Sequence, residues 1–274
     1  IKRDYSFHQH HAQIQSGGYG MSVLTDFANA IELSEGTVFI NSISPENRQN
    51  LSNLLLQGHQ LLAYRHTMDF GVSGRGITFE APTTHLTVPV NVLERMKAID
   101  PNKASDYDAW INHISGAPFP ESYRGNKHFW NSDIMTQRGA NYYLSAKVIS
   151  KRTYGTESIN GENVKGYNLP LGATNILTDG AEYERIYPVW DWTRVPGTTA
   201  ERNPASALLS DYLIGTNEFG GAVSSGQSGA IAFESDYRNL QAKKAYFFMG
   251  DAMLCLGAGI NGSFSNPVNT SVNQ

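Results

Sequence analysis

Gly116-Ala117-Pro118-Phe119-Pro120-Glu121-Ser122-Tyr123-Arg124 is the stretch at which the sequence changes character. Its two prolines lack the amide protons that a continuing helix or a central strand needs. Everything before it reads as helices joined by loops. Val23, Leu24, Phe27 and Ile31 recur at helical spacing. Ser44-Pro45 reads as an N-cap followed by proline at the first helical position, Leu51, Leu54 and Leu55 supply an apolar stripe, and Gly58 an end. Val92, Leu93, Met96 and Ile99 mark a third helix, stopped by Pro101, and Ala104–Ile114 a fourth.

After the stretch the pattern becomes β. Tyr142–Ser150, Ile176-Leu177, Ile186–Trp190, Gly229–Glu234, Ala245–Met249 and Met253–Leu256 read as short strands. Asn160-Gly161, Asp179-Gly180, Pro196-Gly197 and Asn261-Gly262 supply the turns between them. Helices followed by a run of strands predict an α+β chain of two domains, 1–120 and 121–274, rather than an alternating α/β sheet. The second is expected to be an antiparallel sandwich. About four helices are few for a domain, and Asn266–Gln274 reads as the start of another strand, so a fragment of a longer protein is expected.

Composition narrows the function classes. The chain has 274 residues, 40% hydrophobic and 17% charged, enough for a packed core and against disorder. Lysine plus arginine total 21 against 25 acidic residues, a net charge of −4, so no global basic excess points to nucleic acid. An acidic ligand would need a local basic pocket. No apolar run approaches the ~18–20 residues of a membrane helix. Cys255 is the single cysteine, which excludes an internal disulfide and a cysteine-based zinc site. Its apolar surroundings predict a buried small hydrophobe.

Four clusters carry chemistry. His8, His10 and His11 precede Gly17-Gly18-Tyr19-Gly20. They read as metal ligands, as a histidine–tyrosine proton-transfer pair, or as polar loop residues beside a glycine turn. Ser73-Gly74-Arg75-Gly76-Ile77 leaves Arg75 uncrowded, suited to bidentate recognition of a carboxylate or sulfate, or else to a solvated surface turn. The lysine of a phosphate loop is absent, and Arg75 stands where a serine-hydrolase elbow needs its final glycine. Glu157-Ser158-Ile159-Asn160-Gly161-Glu162-Asn163 crowds carboxylates and amides around one turn. Glu157 or Glu162 can orient a base or an arginine, Asn160 or Asn163 can donate to a carboxylate, and the segment can equally be a polar hairpin. Tyr187-Pro188-Val189-Trp190-Asp191-Trp192-Thr193-Arg194 reads as a sugar-stacking groove or as sheet core.

In their order, these clusters resemble polysaccharide lyase family 8, the chondroitin, hyaluronan and xanthan lyases, with wording nearest the chondroitin AC branch. Pro196-Gly197-Thr198-Thr199, Ala242-Lys243-Lys244-Ala245-Tyr246-Phe247-Phe248 and Leu256-Gly257-Ala258-Gly259-Ile260 extend the resemblance over essentially the whole chain. The resemblance implies the last helices of an α/α toroid followed by the first part of a β-sandwich (supersandwich) region. It implies β-elimination on a uronic-acid-containing glycosaminoglycan, secreted or periplasmic action, an acidic polysaccharide partner, and no nucleic acid or membrane partner. By matching motifs, His10, Tyr19, Arg75 and Glu157 take the catalytic positions and Asn160 a substrate-binding one. Tyr19 is the base and also the acid. No cofactor is required; some relatives carry a structural calcium, for which no full ligand set is mapped here. Two departures stand out. Phe79 occupies a position where the family often has a second arginine, and the family's catalytic asparagine and cleft tryptophans lie in earlier helices missing from this sequence. The competing readings are a non-catalytic carbohydrate-binding sandwich, a glycoside hydrolase, and a lyase acting on xanthan.

Overall fold

The computed structural model describes residues 1–78 and 88–274. Phe79, and with it the second-arginine position, lies outside them. Among the described residues four α-helices come first: α1 (Tyr19–Ser34), α2 (Pro45–Asn53), α3 (Val90–Ile99) and α4 (Ala104–Ile114). The apolar stripe of α1 is Met21, Leu24, Ala28 and Ile31; Phe27, expected on that face, is 57% exposed. Ser44 caps α2 by accepting from the Asn47 amide, as its place before Pro45 predicts. That helix continues into a single π turn, Leu54–Gly58, which ends by delivering His59 into the core.

A short hairpin, β1 (Ala63–Tyr64) with β2 (Thr67–Met68), interrupts the helices. Strands then run from β3 (Gly125–Phe129) through β4 (Ile134–Arg138), β5 (Tyr143–Lys147), β6 (Tyr154–Glu157), β7 (Ala173–Leu177), β8 (Thr199–Glu201), β9 (Tyr212–Ile214), β10 (Gly220–Ser224), β11 (Ser228–Tyr237), β12 (Leu240–Met249) and β13 (Ala252–Asn261) to β14 (Val268–Thr270). One four-stranded antiparallel sheet has the order β3-β4-β5-β7 and another the order β10-β11-β12-β13. They share a core in which Met135, Leu144 and Ala146 meet Ile231, Phe233, Tyr246 and Phe248. Phe129 and Ile134 of the first sheet belong to the helical core with Leu24, Leu54, Leu93 and Trp110. The helical part and the β part are thereby packed on one another. Two-stranded pairs, β6 with β9 and β8 with β14, complete the sheets described.

Two expectations fail. Ile186–Trp190 forms turns, not a strand. Its aromatic rings fill an irregular core layer in which Trp190 packs edge-on to Phe70, Tyr183 and Trp192. Burial of large rings drives the segment inward without any alternation of side chains. Cys255 is exposed, because β13 is the edge strand of its sheet and most of its residues lie open.

Candidate active site

Residues 8–14 form a tight hairpin. His8 pairs with Ile14, Gln9 N–H donates to the Gln13 carbonyl at 3.2 Å, and Gln15 N–H donates to the Phe7 carbonyl at 2.8 Å. His10 and His11 sit at its tip with φ of 54° and 67°. That left-handed backbone turns the His10 ring toward β6. Tyr19 opens α1, and Gly17 N–H bonds to the Val72 carbonyl at 3.0 Å, tying this entry to the arginine loop. Arg75 lies in the short 3-10 turn Gly74–Thr78. Gly74 is required there twice over: its φ is +53°, and a Cβ would collide with the amide groups of Gln13 and Gln15.

Glu157, at the end of β6 and fully buried, is the node of the cluster. Its Oε2 is 2.6 Å from His10 Nδ1; its Oε1 accepts from Arg75 Nη1 at 2.7 Å and from Gln15 Nε2 at 2.9 Å. A carboxylate only accepts, so His10 Nδ1 carries the proton and its Nε2 keeps the lone pair when the ring is neutral. The 3.2 Å approach of Arg75 Nη1 to the same Nδ1 is then a meeting of two donors, both drawn to Glu157. Arg75 Nε donates to Glu162 at 2.5 Å and Nη2 to the Tyr19 hydroxyl at 2.9 Å. Burial pulls the guanidinium toward neutrality, but its bonds to Tyr19, Glu157 and Glu162 outweigh this and hold it above its ordinary pKa. The His10 and Tyr19 rings meet edge-on at 5.0 Å, and the Arg75 guanidinium carbon lies 5.7 Å from the Tyr19 ring.

The structure therefore brings His10, Tyr19, Arg75 and Glu157 into one hydrogen-bonded group. Asn160 stays outside it. It is exposed, at φ 60°, at the apex of the turn that Gly161 continues. Asn163 is buried instead and holds that turn, donating through Nδ2 to Thr156 Oγ1 at 3.0 Å and to the Glu157 carbonyl at 2.9 Å. Its own amide bonds to Thr78 Oγ1 at 3.2 Å, which locks the glutamate turn to the arginine turn. Gln15 is the participant that residue patterns missed; a glutamine beside a glycine turn gives no sign of its partner. Glu157 and Glu162 both grip one guanidinium, so neither is left as the free acid or nucleophile that a glycosidase needs. Trp190 and Trp192 are core residues rather than a groove. Among the described residues no three His, Cys, Asp or Glu converge to hold a metal ion, and no helix is long and apolar enough to cross a membrane.

Comparison with known proteins agrees on one family. Residues 1–113 match the N terminal alpha-helical domain of polysaccharide lyase family 8, and residues 124–274 its super-sandwich domain. Chondroitinase-AC of Pedobacter heparinus is 33% identical over 280 residues, which take in 100% of this chain and 39% of the relative. A hyaluronate lyase of Thermasporomyces composti is 27% identical over 316 residues, covering 99% of this chain and 40% of the relative. A xanthan lyase of Bacillus sp. is 28% identical, covering 99% of this chain and 32% of the relative. Among solved structures, a chondroitinase AC lyase studied with bound oligosaccharides superposes with a TM-score of 0.92 at 32% identity, over 100% of this chain and 41% of that one. A chondroitin AC lyase of Streptomyces coelicolor A3, at TM-score 0.81 and 22% identity, covers 100% of this chain and 43% of its own and shares the fold. The chain thus spans about two fifths of the length of these chondroitinase relatives.

Proposed function

The chain belongs to polysaccharide lyase family 8, and we propose that it carries the reaction centre of a lyase that cleaves a uronic-acid-containing glycosaminoglycan, chondroitin or hyaluronan, by β-elimination. The observation that carries this reading is the single network joining Tyr19, Arg75, His10 and Glu157.

The reaction removes the proton at C5 of the uronate, next to its carboxylate, and expels the oxygen at C4. Tyr19, 36% exposed at the mouth of the cluster, takes the C5 proton and returns it to the leaving oxygen, so no proton is gained or lost over the cycle. Arg75 holds a positive charge against the phenol oxygen through both steps. His10, with its Nδ1 proton committed to Glu157, offers Nε2 to the substrate carboxylate's neighbourhood and shares in the abstraction. Glu157 fixes the tautomer and the arginine fork together. Electrostatic stabilisation of the carbanionic intermediate supplies what positioned acid–base chemistry does not. Asn160, exposed at the turn, is assigned to substrate contact.

We further propose that residues 1–120 are the last helices of an α/α toroid, that residues 121–274 open a β-sandwich, and that earlier helices of the same protein complete the cleft. Secreted or periplasmic action follows from the size of the polymer. The chemistry assigned to Tyr19, His10 and Arg75 calls for no cofactor. The test is the ultraviolet absorbance of the unsaturated uronate, measured with chondroitin, hyaluronan and xanthan separately on the full-length protein. Absorbance growth with chondroitin or hyaluronan is expected; growth with xanthan alone reassigns the substrate, and reducing ends without absorbance refute the lyase. Polymer binding without either signal identifies a non-catalytic sugar-binding protein. Tyr19→Phe is expected to abolish the signal while polymer binding persists, and near-normal turnover in that variant would remove Tyr19 from the base position.

A further inference from the structure

A second concavity, of about 450 Å³, opens where the N-terminal segment meets the first sheet, and Lys2, His8, His128, Trp130 and Arg152 help line it. Its volume is within the range of small-ligand sites, roughly 300–1,000 Å³. Trp130, immediately after β3, is 50% exposed, whereas Trp110, Trp190 and Trp192 are buried. An open indole set in a concavity is a flat apolar platform. The Lys127 ammonium stands 6.0 Å from the Trp130 ring and 5.5 Å from that of Phe129. Among the described residues, no carboxylate forms a salt bridge with Lys2 or Lys127. The acidic groups beneath are already satisfied: Asp4 accepts from Ser6 and from the Asn131 amide, and Asp133 from Ser150, Arg152 and Thr153. Arg152 is paired with Asp133 at 2.7 Å, which leaves Lys2, among the described residues, as the lining cation without a salt bridge. His8 Nδ1 and His128 Nε2 are buried without a hydrogen-bond partner and retain capacity for a ligand hydroxyl. Burial, with Lys2 nearby, lowers the His8 pKa to about 4, so the ring is a neutral polar contact at neutral pH.

We propose that this concavity is a binding site for an acidic saccharide, with a sugar ring on Trp130 and its anionic group on Lys2. It shares the residue 8–14 hairpin with the reaction centre but uses none of the tetrad. The choice of a sugar over another flat anion rests on the proposed lyase function. Binding here is distinct from turnover and is read separately.

The probe is a chondroitin tetrasaccharide, titrated into full-length protein carrying Tyr19→Phe so that it is not consumed. Quenching of tryptophan fluorescence is expected, with the part contributed by Trp130 lost in Trp130→Phe, since the other indoles of residues 1–274 are buried. Calorimetry should find two tetrasaccharides per chain, and Lys2→Glu should weaken one of them by ~5-fold, as reversing an exposed charge does. Maltotetraose, neutral and of equal length, should not quench. Quenching undiminished by Trp130→Phe, or binding indifferent to Lys2→Glu, overturns the proposal. In the protein without Tyr19→Phe, Lys2→Glu should turn over short oligosaccharides at the unchanged rate. Absorbance growth without Trp130-dependent quenching refutes this site alone. Trp130-dependent quenching without absorbance growth keeps the site and refutes the lyase.

Discussion

Replacing Glu157 by glutamine preserves shape and removes one charge, and the donors around the carboxylate decide how the amide can sit. Oε1 faces two donors, Arg75 Nη1 and Gln15 Nε2, while Oε2 faces only His10 Nδ1. An amide placed with its NH₂ toward Arg75 and Gln15 would oppose two donors with a third and fourth. The opposite orientation keeps both of those bonds and points the NH₂ at His10, 2.6 Å away in the parent protein. The imidazole must then accept at Nδ1, so its proton moves to Nε2 and the lone pair needed there is gone. Positioned acid–base groups contribute typically ~10²–10⁴ in rate, and turnover of Glu157→Gln should fall by about that factor. The bonds from Gln15 and His10 become neutral ones and the one from Arg75 keeps only the guanidinium's charge, each losing on the order of 1 kcal/mol, so the protein should remain folded with about 3 kcal/mol less stability. Rates are read from unsaturated-uronate absorbance, stability from urea unfolding, and the tautomer from the nitrogen shifts of His10. A rate within a few-fold of the parent, or a His10 that keeps its proton on Nδ1, would refute the reasoning.

Arg75→Lys should cost about a hundredfold or more in turnover on the same assay, because one ammonium cannot reach Glu157, Glu162 and Tyr19 in the fork that the guanidinium spans. Acid should destabilise the protein through His59, whose pKa burial lowers from 6.5 to about 4. Between those values the unfolded chain binds the extra proton, so stability is full above pH 6.5 and falls as pH drops toward 4. The loss is about 3 kcal/mol, and urea midpoints in His59→Gln should lack this component. Gly58→Ala should destabilise by ~1–3 kcal/mol in thermal melts, because the added Cβ would run into the Tyr5 carbonyl, a backbone group with nowhere to go.

The helical half and the β half were legible because their cues are local. Ser44-Pro45 announces a helix start wherever it occurs, and α3 follows its apolar spacing residue for residue. Strands such as β3 and β6 escaped notice because they are four or five residues long and mostly buried whatever their parity, and β9 because three residues are too few to show an alternation. Ile186–Trp190 misled for the reverse reason: aromatic content suits a strand, but edge-to-face packing with Phe70 and Tyr183 decided its course. Cys255 misled because an apolar neighbourhood in sequence says nothing of an edge position in a sheet. Within the site, residue type pointed to Arg75 and Glu157, yet 82 positions separate them and 147 separate His10 from Glu157. Only the packing of helices on sheet reveals that one carboxylate serves both, and that Asn163, not Asn160, holds its turn.

The placement of Glu157 also has a bearing on biosynthesis. Translation delivers His10, Tyr19 and Arg75 first, on the helical side, and the carboxylate that aligns them only later, on β6. A nascent chain halted between the two, or one clipped in the connecting segment, exposes the reactive side chains without their organiser. It is expected to be inert rather than partly active. On the proposed function, the keystone arriving last would act as a completeness check, the centre becoming active only once the β region has folded and docked.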